Sequence, residues 1–146
     1  MPAPVTYDPT KVVIIVGGAI MGGFADGTFV AVEYENDFFT KVTGADKQTT
    51  RVKQNDFSGN ITLTLAQSSP SNDVLSAFVV LDKTTNKGIV PVLIKDLSGT
   101  TLVSSAYAWV RKPPALEFSK EVSNREWILD CAELDVVVGG EFPFSI

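Results

Sequence analysis

The chain has 146 residues, of which 45% are hydrophobic and 20% are charged, and its formal net charge is −5. This length and balance are typical of one folded domain in water, and they exclude a disordered chain and a membrane-embedded one. Histidine, the commonest general base near neutral pH and the commonest metal ligand, is absent, which excludes Ser-His-Asp and Cys-His catalysis. We therefore expect a non-enzymatic protein with no cofactor, and the negative charge opposes tight binding of nucleic acid.

The first apolar stretch begins at Val12 and is too short for a membrane-spanning helix: it covers about ten residues, whereas a span needs roughly 20. Prolines and a single lysine precede it, which does not resemble a signal peptide. We therefore expect no membrane contact and folding in a cytoplasm. The glycine-rich run 17–23 that follows has Phe24 and Ala25 where a phosphate-binding loop requires lysine and serine or threonine. We interpret these glycines as points where the backbone bends sharply or approaches a neighbouring chain.

Alternating apolar and polar residues predict strands over 28–35 and 59–65, and the apolar segment 11–18 is a further candidate strand. The turn dipeptide Asp26-Gly27 predicts a hairpin between the 28–35 strand and either 11–18 or 20–24. Glu33 and Glu35 then project to one face of their strand, as do Glu133 and Asp135 further along. Such pairs could in principle serve glycoside hydrolysis, but a solvated acidic face is the simpler interpretation.

Residues 36–57 differ in character from the strands on either side. Between the Phe38-Phe39 pair and Phe57 the segment is polar, and it is the only net positive segment of the chain, with a charge of +1. Its cations are Lys41, Lys47, Arg51 and Lys53. Two interpretations stay open, namely a solvated loop and an arm that contacts an acidic surface on another subunit.

One helix is predicted over 70–84, with Ser69 as N-cap and Pro70 in the first helical position. Its expected buried face carries Val74, Leu75, Phe78 and Leu81. Further strands are predicted over 89–97, 102–112, 116–120, 124–132 and 134–138, and Cys131 is expected to be a core thiol. The predicted fold is mainly β (α+β): one domain over 1–146 in which two packed antiparallel sheets form a β-sandwich or barrel with one flanking α-helix.

The terminal extension 139–146 carries three large apolar residues, Phe142, Phe144 and Ile146, at alternating positions. Chain ends are usually polar, and leaving three such groups in water costs about 1.5 to 3 kcal/mol each. We therefore expect them to dock, either on the core of their own subunit or on a neighbour.

Six segments together carry a resemblance to a known family: 7–11 (YDPTK), 17–28 (GGAIMGGFADGT), 67–73 (QSSPSND), 92–96 (VLIKD), 109–114 (WVRKPP) and 123–127 (SNREW). The chain resembles the tail tube proteins of contractile-tailed bacteriophages and prophages over almost its whole length. The resemblance implies the fold of the type VI secretion tube protein and six-membered rings that stack into a hollow tube. It also implies no active site.

Under this resemblance the arm reaches the neighbouring ring and faces acidic residues of the terminal segment. The implied inter-ring contacts are Phe38, Phe39, Lys41, Lys47, Arg51, Lys53, Phe142, Phe144 and Ile146, and candidates for the acidic lumen are Glu33, Glu35, Asn60, Thr62 and Thr64. The implied partners are further copies of the chain, the tail sheath protein, and the tape measure protein and viral DNA in the lumen without specific binding. The implied location is the virion tail, assembled in the host cytoplasm. Alternatives are a secretion-type tube, a tail completion ring and, from another class, a β-rich binding module or carbohydrate-active enzyme.

Overall fold

A computed structural model describes residues 4–141 of the chain. A short 3-10 helix, Pro9–Lys11, precedes the first strand. The strands described are β1 (Val12–Val16), β2 (Ala19–Ile20), β3 (Val30–Tyr34), β4 (Phe39–Thr43), β5 (Thr49–Lys53), β6 (Gly59–Ala66), β7 (Val90–Asp96), β8 (Leu102–Lys112), β9 (Asn124–Cys131) and β10 (Asp135–Val137). The α-helix, α1, spans Ser71–Thr85 between β6 and β7. No helix among the described residues combines the length and hydropathy needed to cross a bilayer.

Eight strands form one antiparallel sheet in the order β2-β1-β7-β8-β9-β6-β3, with β10 paired to β8. The long strand β8 pairs with β7 and β10 along its first half and with β9 along its second half. Register shifts interrupt β8 on both sides, and such bulges bend a strand and increase its twist. The sheet therefore wraps around one core. The remaining strands, β4 and β5, form a separate two-stranded sheet.

The core lies on one face of the large sheet, where alternate residues of β6, β7 and β9 are buried. In β6, Ile61, Leu63 and Leu65 are fully buried, and they meet Trp127 and Leu129 from β9. Helix α1 covers the open side of this core with Leu75. Cys131 is buried in the same core, and burial raises the pKa of its thiol, as expected for a cysteine that packs rather than reacts.

The glycine-rich run turns the backbone sharply at its start, which is one of the two interpretations of the sequence. Gly17 and Gly18, with φ of 58° and 84°, form a two-residue turn that joins β1 to β2. A Cβ on Gly17 would lie 2.5 Å from the ring of Phe78 on α1, so this position needs glycine for space as well as for conformation.

The prediction of a mainly β fold with two antiparallel sheets and one helix is confirmed. The helix begins at Ser71 with Pro70 as its N-cap, one residue later than predicted, and the Ser69 hydroxyl accepts a hydrogen bond from the Ser71 amide (3.2 Å). Within the predicted apolar stripe, Leu81 is exposed, because the helix turns Val79 toward the core instead.

Two sequence predictions about strands were wrong. The 28–35 strand does not pair with 11–18 or 20–24: β3 pairs with β6, because β1 already has β2 on one edge and β7 on the other. Residues 116–120 form no strand. Pro113 and Pro114 end β8 there, and the loop that follows folds back on side-chain hydrogen bonds.

Candidate assembly surfaces

The segment 36–57 forms an exposed hairpin, which we call the arm. Strands β4 and β5 pair from Phe39 opposite Lys53 to Thr43 opposite Thr49, and every residue of both strands is exposed. At the tip, the Gly44 amide donates to the Gln48 carbonyl (3.0 Å), and Lys47 takes a left-handed conformation with φ of 64°. The strands of the arm thus bury none of their residues against their own subunit.

The two faces of the arm differ in chemistry. On one face Lys41 lies directly opposite Arg51, and the Arg51 guanidinium stands 4.2 Å from the centre of the Phe39 ring. Lys53 shares this face. Like charges directly opposite each other destabilise a hairpin, so this arrangement favours an acidic surface that would offset their repulsion. The other face carries Thr40, Val42, Thr50 and Val52.

The root of the arm is fixed by aromatic packing. The Phe38 ring meets the edges of Tyr34 and Phe57, with centroids 4.6 Å and 5.2 Å away. The Tyr34 hydroxyl donates to the carbonyl of Leu134 (2.7 Å) and accepts from the amide of Val136 (3.1 Å). Phe38 therefore belongs to the root, whereas Phe39, Lys41, Arg51 and Lys53 lie on one face of the hairpin and Lys47 lies at its tip.

A second surface is the outer face of the large sheet, opposite the core. Four of the five residues predicted for the lumen lie together on it: Glu33 of β3 is opposite Asn60 of β6, and Thr62 and Thr64 continue the same row. Sequence reasoning missed their neighbours on β9, where Asp130 is opposite Asn60 and Glu126 is opposite Thr64. The alternation of buried and exposed positions along 124–131 would have placed Glu126 and Asp130 on one face.

Glu35 lies just past the end of β3, next to this face. Arg111 of β8 bonds Asp130 through Nη2 and Oδ1 (2.6 Å) and reaches Glu35 at 3.4 Å. The bond to Asp130 raises the pKa of Arg111. Arg111 thus partly neutralises two acids, while Glu33 and Glu126 make no ion pair with any residue in the described range, so the face stays acidic.

The chain from Gly139 to Glu141 runs beside the turn between β7 and β8. The Thr100 amide donates to the Gly140 carbonyl (3.0 Å), and the Gly139 amide donates to the Thr101 hydroxyl (3.0 Å). The neighbouring Asp96 carboxyl raises the pKa of Glu141, with burial adding to the effect. The predicted contact residues Phe142, Phe144 and Ile146 lie outside the described residues.

Glu141→Gln is expected to hold this segment more firmly at neutral pH. Because the folded pKa of Glu141 is raised, its stabilising contribution is complete below the ordinary pKa of a glutamate and is lost as pH rises through the raised value. Glutamine stays neutral and keeps a donor for Asp96. Hydrogen exchange of the Thr100 amide should therefore be slower in the variant than in the native chain at pH 8 and similar at pH 4. The exposed Glu133→Gln is the control, and equal exchange at pH 8 would contradict this account.

The fold is that of tube and terminator proteins of contractile injection systems. A chain of the anti-feeding prophage cap (AFP tube terminating cap) has a TM-score of 0.66 at 9% identity, with 94% of both chains covered. A chain of the sheath-tube complex of the extracellular contractile injection system PVC, in the extended state, has a TM-score of 0.60 at 13% identity, covering 90% of this chain and 91% of that one. These likenesses define the class of fold.

Sequence comparison then gives the family. Residues 10–139 match the family described as Bacteriophage PhiTE tail tube protein. "Structural protein ORF10" of Pseudomonas phage KPP10 is 34% identical over 148 residues, which cover 96% of this chain and 86% of that protein. The chain belongs to the PhiTE tail tube protein family, and the resemblance noted from the sequence is confirmed.

Proposed function

We propose that this chain is the repeating subunit of a phage tail tube, in which rings of six copies stack into a hollow conduit inside a contractile sheath. The observation that carries the proposal is the arm: an exposed hairpin, rooted by aromatic packing on a domain of tail tube fold, with like charges opposite each other that an acidic partner would offset. Membership in a family of structural proteins favours a role without catalysis.

The acidic outer face supports a second part of the proposal, that Glu33, Asn60, Thr62, Thr64 and Glu126 line the lumen, with Glu35 at its edge. Each copy brings a net charge of −5, so a ring concentrates negative charge. Phosphates are repelled from such a wall, and DNA and the tape measure protein would pass without specific binding. The tube would form in the host cytoplasm and remain in the virion tail, where the sheath protein surrounds it.

A ring that terminates or completes the tube is the second candidate, because a tube terminating cap has the same fold. The two candidates differ in whether rings stack. Negative-stain electron microscopy of the purified protein over a range of concentrations should find long tubes of uniform width. Rings that never extend would favour the terminator, and monomers alone at high concentration would contradict both.

A further inference from the structure

The loop 113–123, between β8 and β9, lies at the opposite end of the domain from the arm. Strand β6 begins at Gly59, two residues after Phe57 at the arm root, and ends at Ala66, which pairs with Asn124. The Ser123 amide donates to the Gln67 side chain (3.1 Å), so the loop is fixed at that far end. Eight strand residues separate the two ends by roughly 23 Å at about 3.3 Å per residue.

This loop presents large apolar side chains to water. Leu116, Phe118 and Val122 are 64%, 78% and 74% exposed. Single exposed apolar residues are ordinary on a protein surface, but Leu116 and Phe118 border the same open cleft, and such a concentration of exposed apolar side chains is common at protein contacts. Phe39 on the charged face of the arm, 44% exposed, is its apolar counterpart at the other end of the molecule.

The loop is held in the shape that exposes these side chains. Arg125 is buried, and its guanidinium donates to the Ser123 hydroxyl (2.7 Å) and to the Glu117 carbonyl (3.5 Å). The same guanidinium lies 5.6 Å from the centre of the Phe118 ring. Because the loop is already ordered by its own subunit, a partner would bind it at a small entropic cost.

Charge at the two ends is complementary. The loop carries Glu117 and Glu121 against one lysine, Lys120. Asp73 in the first turn of α1 and Glu126 on β9 stand at the same end, and all four acids are exposed. The arm is the net positive segment of the chain, and its cations share one face with Phe39.

We propose that the loop 113–123 of one copy receives the arm of the next copy in the stack. The charged face of the arm then meets the loop, so that Lys41, Arg51 and Lys53 face Glu117 and Glu121. Phe39, on the same face, covers Leu116 and Phe118. The inference rests on the proposed tube function and names the surface on the neighbouring copy. A second copy is the occupant because one chain carries both halves of the contact at opposite ends, and such a head-to-tail contact repeats without closing.

Cross-linking tests the pair directly. The double variant Thr43→Cys with Ser119→Cys places one thiol on the arm and one in the loop, while native Cys131 is buried. A short bismaleimide added to assembled tubes should give a ladder of covalent multimers on a denaturing gel, and each single variant should give none. The control is Thr43→Cys with Lys87→Cys, since Lys87 lies near Val90, at the arm's own end of the sheet.

Each outcome of this experiment bears on the inference. A ladder from the arm–loop pair alone supports it. Tubes that form with no ladder, or with an equal ladder from the control pair, would overturn the acceptor assignment and leave the tube function standing. A native chain that never assembles would overturn both.

A charge exchange tests the same contact without cysteines. Glu117→Lys with Glu121→Lys should reduce the protein found in tubes on the order of tenfold by placing like charges together. Adding Lys41→Glu, Arg51→Glu and Lys53→Glu, the three cations of the proposed contact, to the same chain should restore much of the growth. If the variant with all five substitutions forms no more tubes than the variant with the two loop substitutions, the proposal is wrong. Glu133→Lys with Asp135→Lys, outside the loop, is the matched control.

Discussion

Reversing the charge of the arm is expected to abolish tube growth and leave the subunit folded. Lys47→Glu, Arg51→Glu and Lys53→Glu change the net charge of residues 36–57 from +1 to −5. All three side chains are exposed and none contacts the core. Glutamate at position 51 would lie opposite Lys41, which replaces a repulsive cross-strand pair with an attractive one, so the hairpin should persist. Any loss of tube growth then arises from contacts between subunits.

Two measurements check this prediction together. Circular dichroism and urea unfolding should match the native chain, while electron micrographs should show no long tubes. Lys83→Glu, Lys87→Glu and Lys112→Glu make the same change in net charge away from the arm, and this control should still polymerise. Tubes of native length and number in the arm variant would remove the arm from the assembly mechanism.

Leu63→Ala is expected to have the largest effect on stability. Leu63 is fully buried at the centre of β6, opposite Val30 on one side and Trp127 on the other. Removing its methyl groups leaves a cavity among rigid strands, which costs about 2 to 5 kcal/mol. Since small domains are stable by about 5 to 15 kcal/mol, this is a large share of the total.

Urea unfolding measures this change in the free energy of unfolding, provided that the dependence of that free energy on urea concentration is the same in the variant and the native chain. Thr64→Ala is the matched control, because the next residue of the same strand points to the outer face and should change stability by less than about 0.5 kcal/mol. A loss below about 1 kcal/mol for Leu63→Ala would mean that β6 does not form the centre of the core.

Local patterns in the sequence predicted much of the fold. The alternation from Gly59 to Leu65 predicted β6, and the helix signals around Ser69 and Pro70 located the start of α1 within one residue. Pairing between distant strands was less accessible, because a turn such as Asp26-Gly27 does not decide which strand edge is free. Which edge is free depends on how all the strands of the sheet pair.

The residues of the candidate assembly surfaces could be recognised from the sequence only in part, for a related reason. The charges of 36–57 were visible in the sequence, as was the polar row of Asn60, Thr62 and Thr64. The apolar residues around Leu116 and Phe118 looked like a buried strand, since sequence alone could not show that Arg125 holds them outward. That Glu126 and Asp130 belong to the outer face could be recognised only from the register between β6 and β9.

A cryo-electron-microscopy reconstruction of the assembled protein tests the central claim most directly. The account predicts a hollow tube of six-membered rings, with the arm of each subunit bridging to the next ring and the face that carries Glu33, Asn60 and Glu126 toward the lumen. A closed oligomer without stacking, or a tube in which the arms point into solvent, would contradict it.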